Sequence, residues 1–278
     1  MVIQSISIAI RAIRWRYMLE PKLDVKFADL YKVTAIGFMI NNILPLRPGE
    51  FIRPYMLSKK ISIPLSTLLA TIVVERIFDL LTVLFLFFIS INLSPFKNVK
   101  IVRFCIFISW TIGLFFVALL FFPKRLRSLV YILLNLFPIK YQDKIKIQLE
   151  YFISGFKCIK NEKNIFGIGF YSIVLWFNYI IVIYLLFLIF RINLNFWDAI
   201  MLNTVLVLGI SMPSAPGYIG TFHLACAIGL SVLGVDLNTA KGFAIVLWSI
   251  GFISSMIIGI YCLAKEDFSI KGLKKSVD

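Results

Sequence analysis

Six charged residues carry the chemistry open to the apolar part of this chain. Glu75, Arg76 and Asp79 interrupt a hydrophobic run from Ser66 to Leu93, and Arg47, Glu50 and Arg53 surround a Pro48-Gly49 turn upstream of it. On a helix, Glu75 and Asp79 lie one turn apart on the same face. Arg76 reaches Asp79 at i+3, which leaves Glu75 in need of a cation, and Arg47 or Arg53 is the donor at hand. A guanidinium binds phosphate through two parallel hydrogen bonds. One reading is therefore a buried polar cavity in which Arg47, Arg53 and Arg76 meet a lipid phosphate. The other is a charge network that pins broken helices to a long one. The two readings are compatible, and the sequence leaves both open.

A second constellation surrounds Pro216. Gly217 to Thr221 reads as the start of a helix, whose free N–H groups attract anions. Ser214 and Thr221 either cap that helix or touch a ligand. His223, the only histidine, is a proton or phosphate contact or a hydrogen-bonded structural residue. Asn41 and Asn42 end a short apolar helix, with capping and head-group contact both open. Other chemistries lack their parts. Cys105, Cys158, Cys226 and Cys262 are scattered, and neither a Gly-Lys-Ser/Thr phosphate loop nor G-x-G-x-x-G occurs. A zinc centre, a histidine triad and a nucleotide site are all unsupported. We expect no cofactor, no metal and no enzyme.

The elements that must position these residues follow from composition. Of the 278 residues, 60% are apolar and 15% charged, against roughly 45–50% and 25% in soluble chains. A soluble domain of this size cannot bury so much apolar surface, which leaves an integral membrane protein. The 29 basic and 14 acidic residues give a net charge of +15, which suits loops facing anionic lipid and not a nucleic acid. Spans of about 20 apolar residues fall at Ser66 to Leu93, Ile101 to Phe122, Ile165 to Phe190 and Gly242 to Leu263. Shorter pieces fall at Val33 to Leu46, Ala199 to Met212 and Tyr218 to Gly234. Val2 to Ile13, followed by Arg14 and Arg16 and ending near Arg11, reads as an interfacial helix or the inner end of a truncated span.

Loop charges set the orientation. Pro123 to Lys163 carries nine basic residues, Arg11 to Lys32 six and Lys265 to Lys275 four, while the opposite connections carry one or two each. The three basic segments are placed inside, and so is the C-terminus. Val33 to Ile61 then enters and leaves on the inner face and Ala199 to Gly234 on the outer, each as a pair of short helices, with a pair of full crossings as the alternative. Both pairs carry an apolar-P-x-x-P-G tip: Leu44-Pro45-Leu46-Arg47-Pro48-Gly49 and Met212-Pro213-Ser214-Ala215-Pro216-Gly217. Proline stops the incoming helix and glycine allows the turn. Two broken pairs entering from opposite faces fit an inverted repeat of the transporter kind. Between the halves, Ile145, Leu149, Phe152, Ile153, Phe156 and Ile159 at helical spacing form a basic amphipathic helix, read as a linker. Gly251, Ser255 and Gly259 form a small-residue packing seam.

The motifs in order are Arg11-Ala12-Ile13-Arg14-Trp15-Arg16, Asn41-Asn42-Ile43-Leu44-Pro45-Leu46-Arg47-Pro48-Gly49-Glu50, Glu75-Arg76-Ile77-Phe78-Asp79 and Pro213-Ser214-Ala215-Pro216-Gly217-Tyr218-Ile219-Gly220-Thr221-Phe222. Their order and spacing resemble the flippase-like transmembrane domain of the lysylphosphatidylglycerol synthases. Standalone relatives of that domain exist, some labelled dolichol-phosphate-glucose synthetase-like. The resemblance covers almost the whole chain, with two departures. The helix before Arg-Trp-Arg looks short, and the soluble aminoacyl-transferring domain has no counterpart. It implies lipid handling, not lipid aminoacylation.

The expected fold is all-α: a polytopic membrane helical bundle forming one domain over 1–278, with two inverted halves (1–122 and 164–263), a cytoplasmic amphipathic connection (123–163) and a cytoplasmic tail (264–278). The expected function is translocation or binding of an anionic phospholipid or polyprenyl-linked lipid in the cell membrane. Two alternatives stand beside it: a membrane-embedded enzyme of polyprenyl-phosphate sugar transfer, and a non-transporting partner that hands lipid to a separate synthase or transferase. The site candidates are Arg47, Glu50, Arg53, Glu75, Arg76, Asp79, Asn42, Ser214, Gly217, Gly220, Thr221 and His223.

Overall fold

The computed structural model describes residues 1–19, 25–93, 111, 139–156, 161–211 and 215–266. The expected span Ile101 to Phe122, apart from Thr111, lies outside the described residues, as do Ser214 and the tail beyond 266. All regular structure among the described residues is helical: α1 (Val2–Met18), α2 (Phe27–Ile43), α3 (Gly49–Ile61), α4 (Leu65–Leu93), α5 (Ile139–Gly155), α6 (Glu162–Ile189), α7 (Phe196–Ser211), a 3-10 turn (Pro216–Tyr218), α8 (Thr221–Val232) and α9 (Leu237–Ala264).

The local chemistry sets the helix ends. Leu44 takes an extended conformation, the one favoured before a proline, and α2 stops there. Asn41 Oδ1 accepts the Gly49 amide at 2.7 Å, so α2 itself supplies the cap of α3. Asp236 caps α9 by accepting the amides of Asn238 and Thr239, each at 3.0 Å. Asn161 caps α6 through the Lys163 amide.

The two short-helix pairs enter from opposite ends of α9, which is about 42 Å long at 1.5 Å per residue. At its C-terminal end, Lys60 Nζ, one residue from the end of α3, donates to Asp29 at the start of α2 and to Glu266, both at 2.8 Å. Burial works against the Lys60 charge, but the hydrogen bonds to Asp29 and Glu266 outweigh it and hold its pKa above the ordinary lysine value. At the N-terminal end of α9, the Phe243 ring meets Phe187 at 5.5 Å and Phe190 at 5.4 Å; α7 leaves from this end and α8 returns to it. The tips meet near the middle of α9. Asn42 Nδ2 donates to Ser255 Oγ at 2.5 Å, and Trp248 Nε1 donates to the Gly217 carbonyl at 2.7 Å.

Two apolar cores follow from this arrangement. One gathers α1, α2, α3 and the first half of α4, with Ile168, Ile258 and Cys262. The other gathers the second half of α4 with α6, α7, α8 and the start of α9. Close approach makes α2–α3 tight: a Cβ on Gly49 would stand 1.9 Å from the Gly37 carbonyl oxygen. The helices α6 and α9 have 28 residues each and mean hydropathies of 2.4 and 2.2, long and apolar enough to cross a membrane. On α9, Ile245, Ile253, Ile257 and Ile260 are exposed along one face, which is the surface a bilayer covers.

Two expectations are corrected. The stretch Val2 to Ile13 is no interfacial helix: α1 runs to Met18 with Ile8, Arg11, Ala12, Arg14 and Trp15 all buried in the bundle. The small-residue seam on α9 is shorter than expected. A Cβ on Gly259 would meet Met39 at 2.3 Å, but nothing lies within 4 Å of one on Gly251. Of the expected connection over 123–163, residues Ile139–Gly155 form α5, which packs on the start of α4 with Thr67 Oγ1 donating to the Tyr151 carbonyl at 2.9 Å, while 123–138 and 157–160 lie outside the described residues.

Candidate functional site

Glu75 and Asp79 stand ten and fourteen residues along α4, about 15 and 21 Å from its start, near the middle of the helix. Charges at such depth in an apolar bundle require partners. The partners are arginines from α1, α3 and α4. Glu75 Oε1 lies 3.2 Å from Arg11 Nη1, 3.1 Å from Arg14 Nη2 and 2.7 Å from Arg76 Nη2, and Glu75 Oε2 accepts Arg53 Nη2 at 2.6 Å. Asp79 Oδ1 takes Arg14 Nη1 at 2.5 Å, and its Oδ2 faces Arg11 and Arg76, each at 3.6 Å.

Neighbouring groups hold the arginines in place. The Arg53 guanidinium lies over the Trp15 ring at 4.4 Å and that of Arg11 over Phe38 at 4.9 Å, a favourable cation–π placement. Arg14 also donates to Ser172 of α6 at 2.9 Å, and the Trp15 indole donates to Thr71 at 2.8 Å. Glu75 and Arg14 are fully buried, whereas the Arg76 side chain is 38% exposed. The cluster thus opens on its Arg76 side. There Glu50 sits 3.8 Å from Arg76 and 3.9 Å from Arg47.

Arg47 joins this opening to the second hairpin. Its guanidinium lies 5.0 Å over the Tyr218 ring and donates to the Ile210 carbonyl of α7. Leu46 and Arg47 adopt left-handed backbone, with φ of 64° and 54°, and so do Gly217 and Tyr218, at 65° and 60°. Both tips therefore turn sharply where they touch. A Cβ on Gly217 would stand 3.3 Å from the Asn42 carbonyl oxygen and 2.8 Å from the Phe252 ring.

Of the residues singled out from sequence, Arg53, Glu75, Arg76 and Asp79 come together, with Glu50 and Arg47 at the opening. Of the two donors expected for Glu75, Arg47 or Arg53, it is Arg53 that reaches it, at 2.6 Å from within α3, while Arg47 stands at the opening. The remainder lie elsewhere or play other parts. Asn41 caps α3, and Asn42 ties the first tip to α9. Gly217 is buried and accepts from Trp248. Thr221 donates to the Tyr218 carbonyl at 3.3 Å, and Gly220, with a φ of 90°, has open space where a Cβ would stand. The His223 ring packs 5.3 Å from Trp248. No hydrogen bond or ion pair joins Gly220, Thr221 or His223 to the arginines among the described residues. Ser214 lies outside the described residues.

Sequence reasoning missed Arg11, Arg14 and Trp15. It counted the arginines as loop charge because they follow an apolar run. The available signal was their i, i+3 spacing, which continues the helical face of Ile8 and Ser7. Both oxygens of Glu75 and Oδ1 of Asp79 are held by arginines, whereas Asp79 Oδ2 is buried without a hydrogen-bond donor. Among the described residues no group of three or more His, Cys, Asp or Glu is placed to hold a metal ion.

Comparison with known proteins agrees with an all-helical membrane protein. Two UPF0104 membrane proteins of Methanocaldococcus jannaschii are similar to the chain. One is 28% identical over 79% of this chain and 91% of its own length, the other 26% identical over 93% of this chain and 81% of its own. No solved structure matches. The family model for the lysylphosphatidylglycerol synthase TM region matches residues 1–259. With three buried arginines and the half-exposed Arg76 gathered on two carboxylates inside an apolar helical bundle, the chain is a membrane protein, and it belongs to the lysylphosphatidylglycerol synthase transmembrane-region family.

Proposed function

We propose that this protein binds an anionic membrane lipid by its phosphate at the Arg76 side of the arginine cluster, and passes the head group between leaflets along the seam where the two hairpin tips meet. The observation that carries this reading is the placement of the cluster. Four arginines lie at mid-depth of α4, and their open side faces Arg47 and the tip contact. A guanidinium offers a phosphate paired hydrogen bonds, and the surrounding low dielectric strengthens them. The acyl or polyprenyl chain stays in the bilayer beside the exposed apolar faces of α6 and α9.

A carrier fits better than an enzyme, because Glu75 and Asp79 are both held by arginines and so are unsuited to general acid–base work. The cell membrane is the setting this reading requires, with α5 and the C-terminus on the cytoplasmic face. A separate soluble synthase or transferase supplying the lipid is the partner it favours.

The test is lipid movement in proteoliposomes, with an anionic lipid labelled on a short acyl chain and dithionite quenching. Protein-dependent transfer that Arg76→Gln reduces at least about tenfold, with the melting temperature held, supports the reading. Transfer at the protein-free rate removes translocation and leaves binding alone to be measured.

A further inference from the structure

The cluster does not balance its own charge. Among the described residues, the five arginines Arg11, Arg14, Arg47, Arg53 and Arg76 stand against three carboxylates, Glu50, Glu75 and Asp79, an excess of two positive charges. The elements packed around it add no further acid among the described residues: α6 offers Ser172 and the Tyr179 ring, and the second hairpin offers Tyr218. The Nε atoms of Arg11, Arg14, Arg53 and Arg76 are buried without a hydrogen-bond acceptor, and against these four donors the cluster leaves one acceptor oxygen unpartnered, Asp79 Oδ2. Uncompensated charge in a low-dielectric bundle is costly, and Arg cannot relieve it by losing a proton.

The charge is also compact. All four guanidiniums touch the single carboxylate of Glu75 within 3.2 Å, so a balancing anion must carry its two charges on one small centre. A phosphodiester lipid carries one charge per phosphorus. A phosphomonoester carries close to two at neutral pH, on three terminal oxygens. A diphosphate-linked lipid carries two, but spreads them over two phosphorus atoms. We infer that the site takes a lipid phosphomonoester, with a terminal phosphate and no esterified head group, in preference to a phosphodiester lipid. This rests on the reading that lipid phosphate meets the arginines, and narrows it to one phosphate class. Phosphatidic acid and a polyprenyl monophosphate share that chemistry.

The experiment measures binding to the purified full chain in detergent, by native mass spectrometry or thermal shift, for lipids that differ in one charge. Phosphatidic acid is compared with phosphatidylmethanol of the same acyl chains, in which a single methyl ester removes the second ionisation. Polyprenyl monophosphate and a polyprenyl diphosphate-sugar form the second pair. We expect each monoester to bind at least about tenfold more tightly than its partner lipid, the effect of one added charge beside buried guanidiniums. In Arg76→Gln, which removes the most exposed of the four arginines, that preference should shrink to about threefold or less. Tighter binding of either monoester than of the other assigns the tail and supports the inference equally. Equal binding of phosphatidic acid and phosphatidylmethanol overturns the monoester inference while leaving anionic-lipid binding intact. A tighter diphosphate lipid overturns it in the same way. Failure of all four lipids to bind overturns the anionic-lipid reading itself.

Discussion

Glu75 is the residue on which the most contacts converge, with all four guanidiniums of the cluster on its two oxygens. Its removal is a different event from removal of an arginine. Glu75→Gln leaves buried Arg53 without its carboxylate and buried Arg11 and Arg14 with Asp79 alone, and breaking one side of a buried pair typically costs about 3–5 kcal/mol. We expect this variant to be recovered in low folded yield, read as loss of the monodisperse peak in size-exclusion chromatography. Arg76→Gln removes a charge from the excess side at a half-exposed position and should keep that peak. A monodisperse Glu75→Gln protein with wild-type melting would show that the network does not hold the helices together.

Helix contacts in this bundle depend on a few positions without side chains. A methyl group on Gly49 would overlap the Gly37 carbonyl oxygen at 1.9 Å, where both neighbours are helical backbone and neither can yield. Gly49→Ala should push α3 away from α2, misplace Arg53 and lower the melting temperature by several degrees. Gly169→Ala on α6, where nothing lies within 4 Å, should melt as wild type, and differential scanning fluorimetry compares them directly. The start of α9 gives a pH-dependent case. Hydrogen bonds from Thr239, through its side chain and backbone, and from the Asn238 amide hold the Asp236 carboxyl below its ordinary pKa. Because the folded value is the lower one, this stabilisation is present above the ordinary carboxylate range and is lost as pH falls through the folded value. The melting difference between wild type and Asp236→Ala should therefore be present at neutral pH and narrow toward about pH 3.

At the scale of the molecule, the two hairpins form one device. The α2–α3 pair enters beside the C-terminal end of α9, the α7–α8 pair beside its N-terminal end, and their tips are joined by Arg47 to Tyr218 and Ile210. Opposite entry brings one broken pair from each end of α9 to the same level of the bundle. The Lys/Arg asymmetry of the connections then assigns the faces: the rim of Lys60, Asp29 and Glu266 is expected on the cytoplasmic side, together with position 140. A Lys140→Cys protein in intact cells should resist a membrane-impermeant maleimide and react once the cells are opened. Labelling from outside would reverse the orientation and place the α2–α3 entrance on the external face.

Amino-acid order alone determined the class of this protein and most of its elements. An apolar fraction of 60% has no soluble solution, and the 3.6-residue period, the prolines at 45, 48, 213 and 216 and the capping residues place helices and breaks through local physics. Glu75, Arg76 and Asp79 were also visible, because charge within an apolar run is costly wherever the run folds. The partners of those carboxylates were decided by tertiary structure alone. Arg11 and Arg14 lie more than sixty residues from Glu75 and Asp79 along the chain. The i, i+3 spacing of these two arginines shows that they share a helical face, but which helix packs across that face, and so which carboxylates they meet, is decided by packing. The same holds for Asn42 and His223, which local pattern leaves open between ligand and scaffold and which α9 claims through Ser255 and Trp248. The excess of two positive charges is likewise a property of the packed bundle, because it exists only once three helices bring their charges to one place.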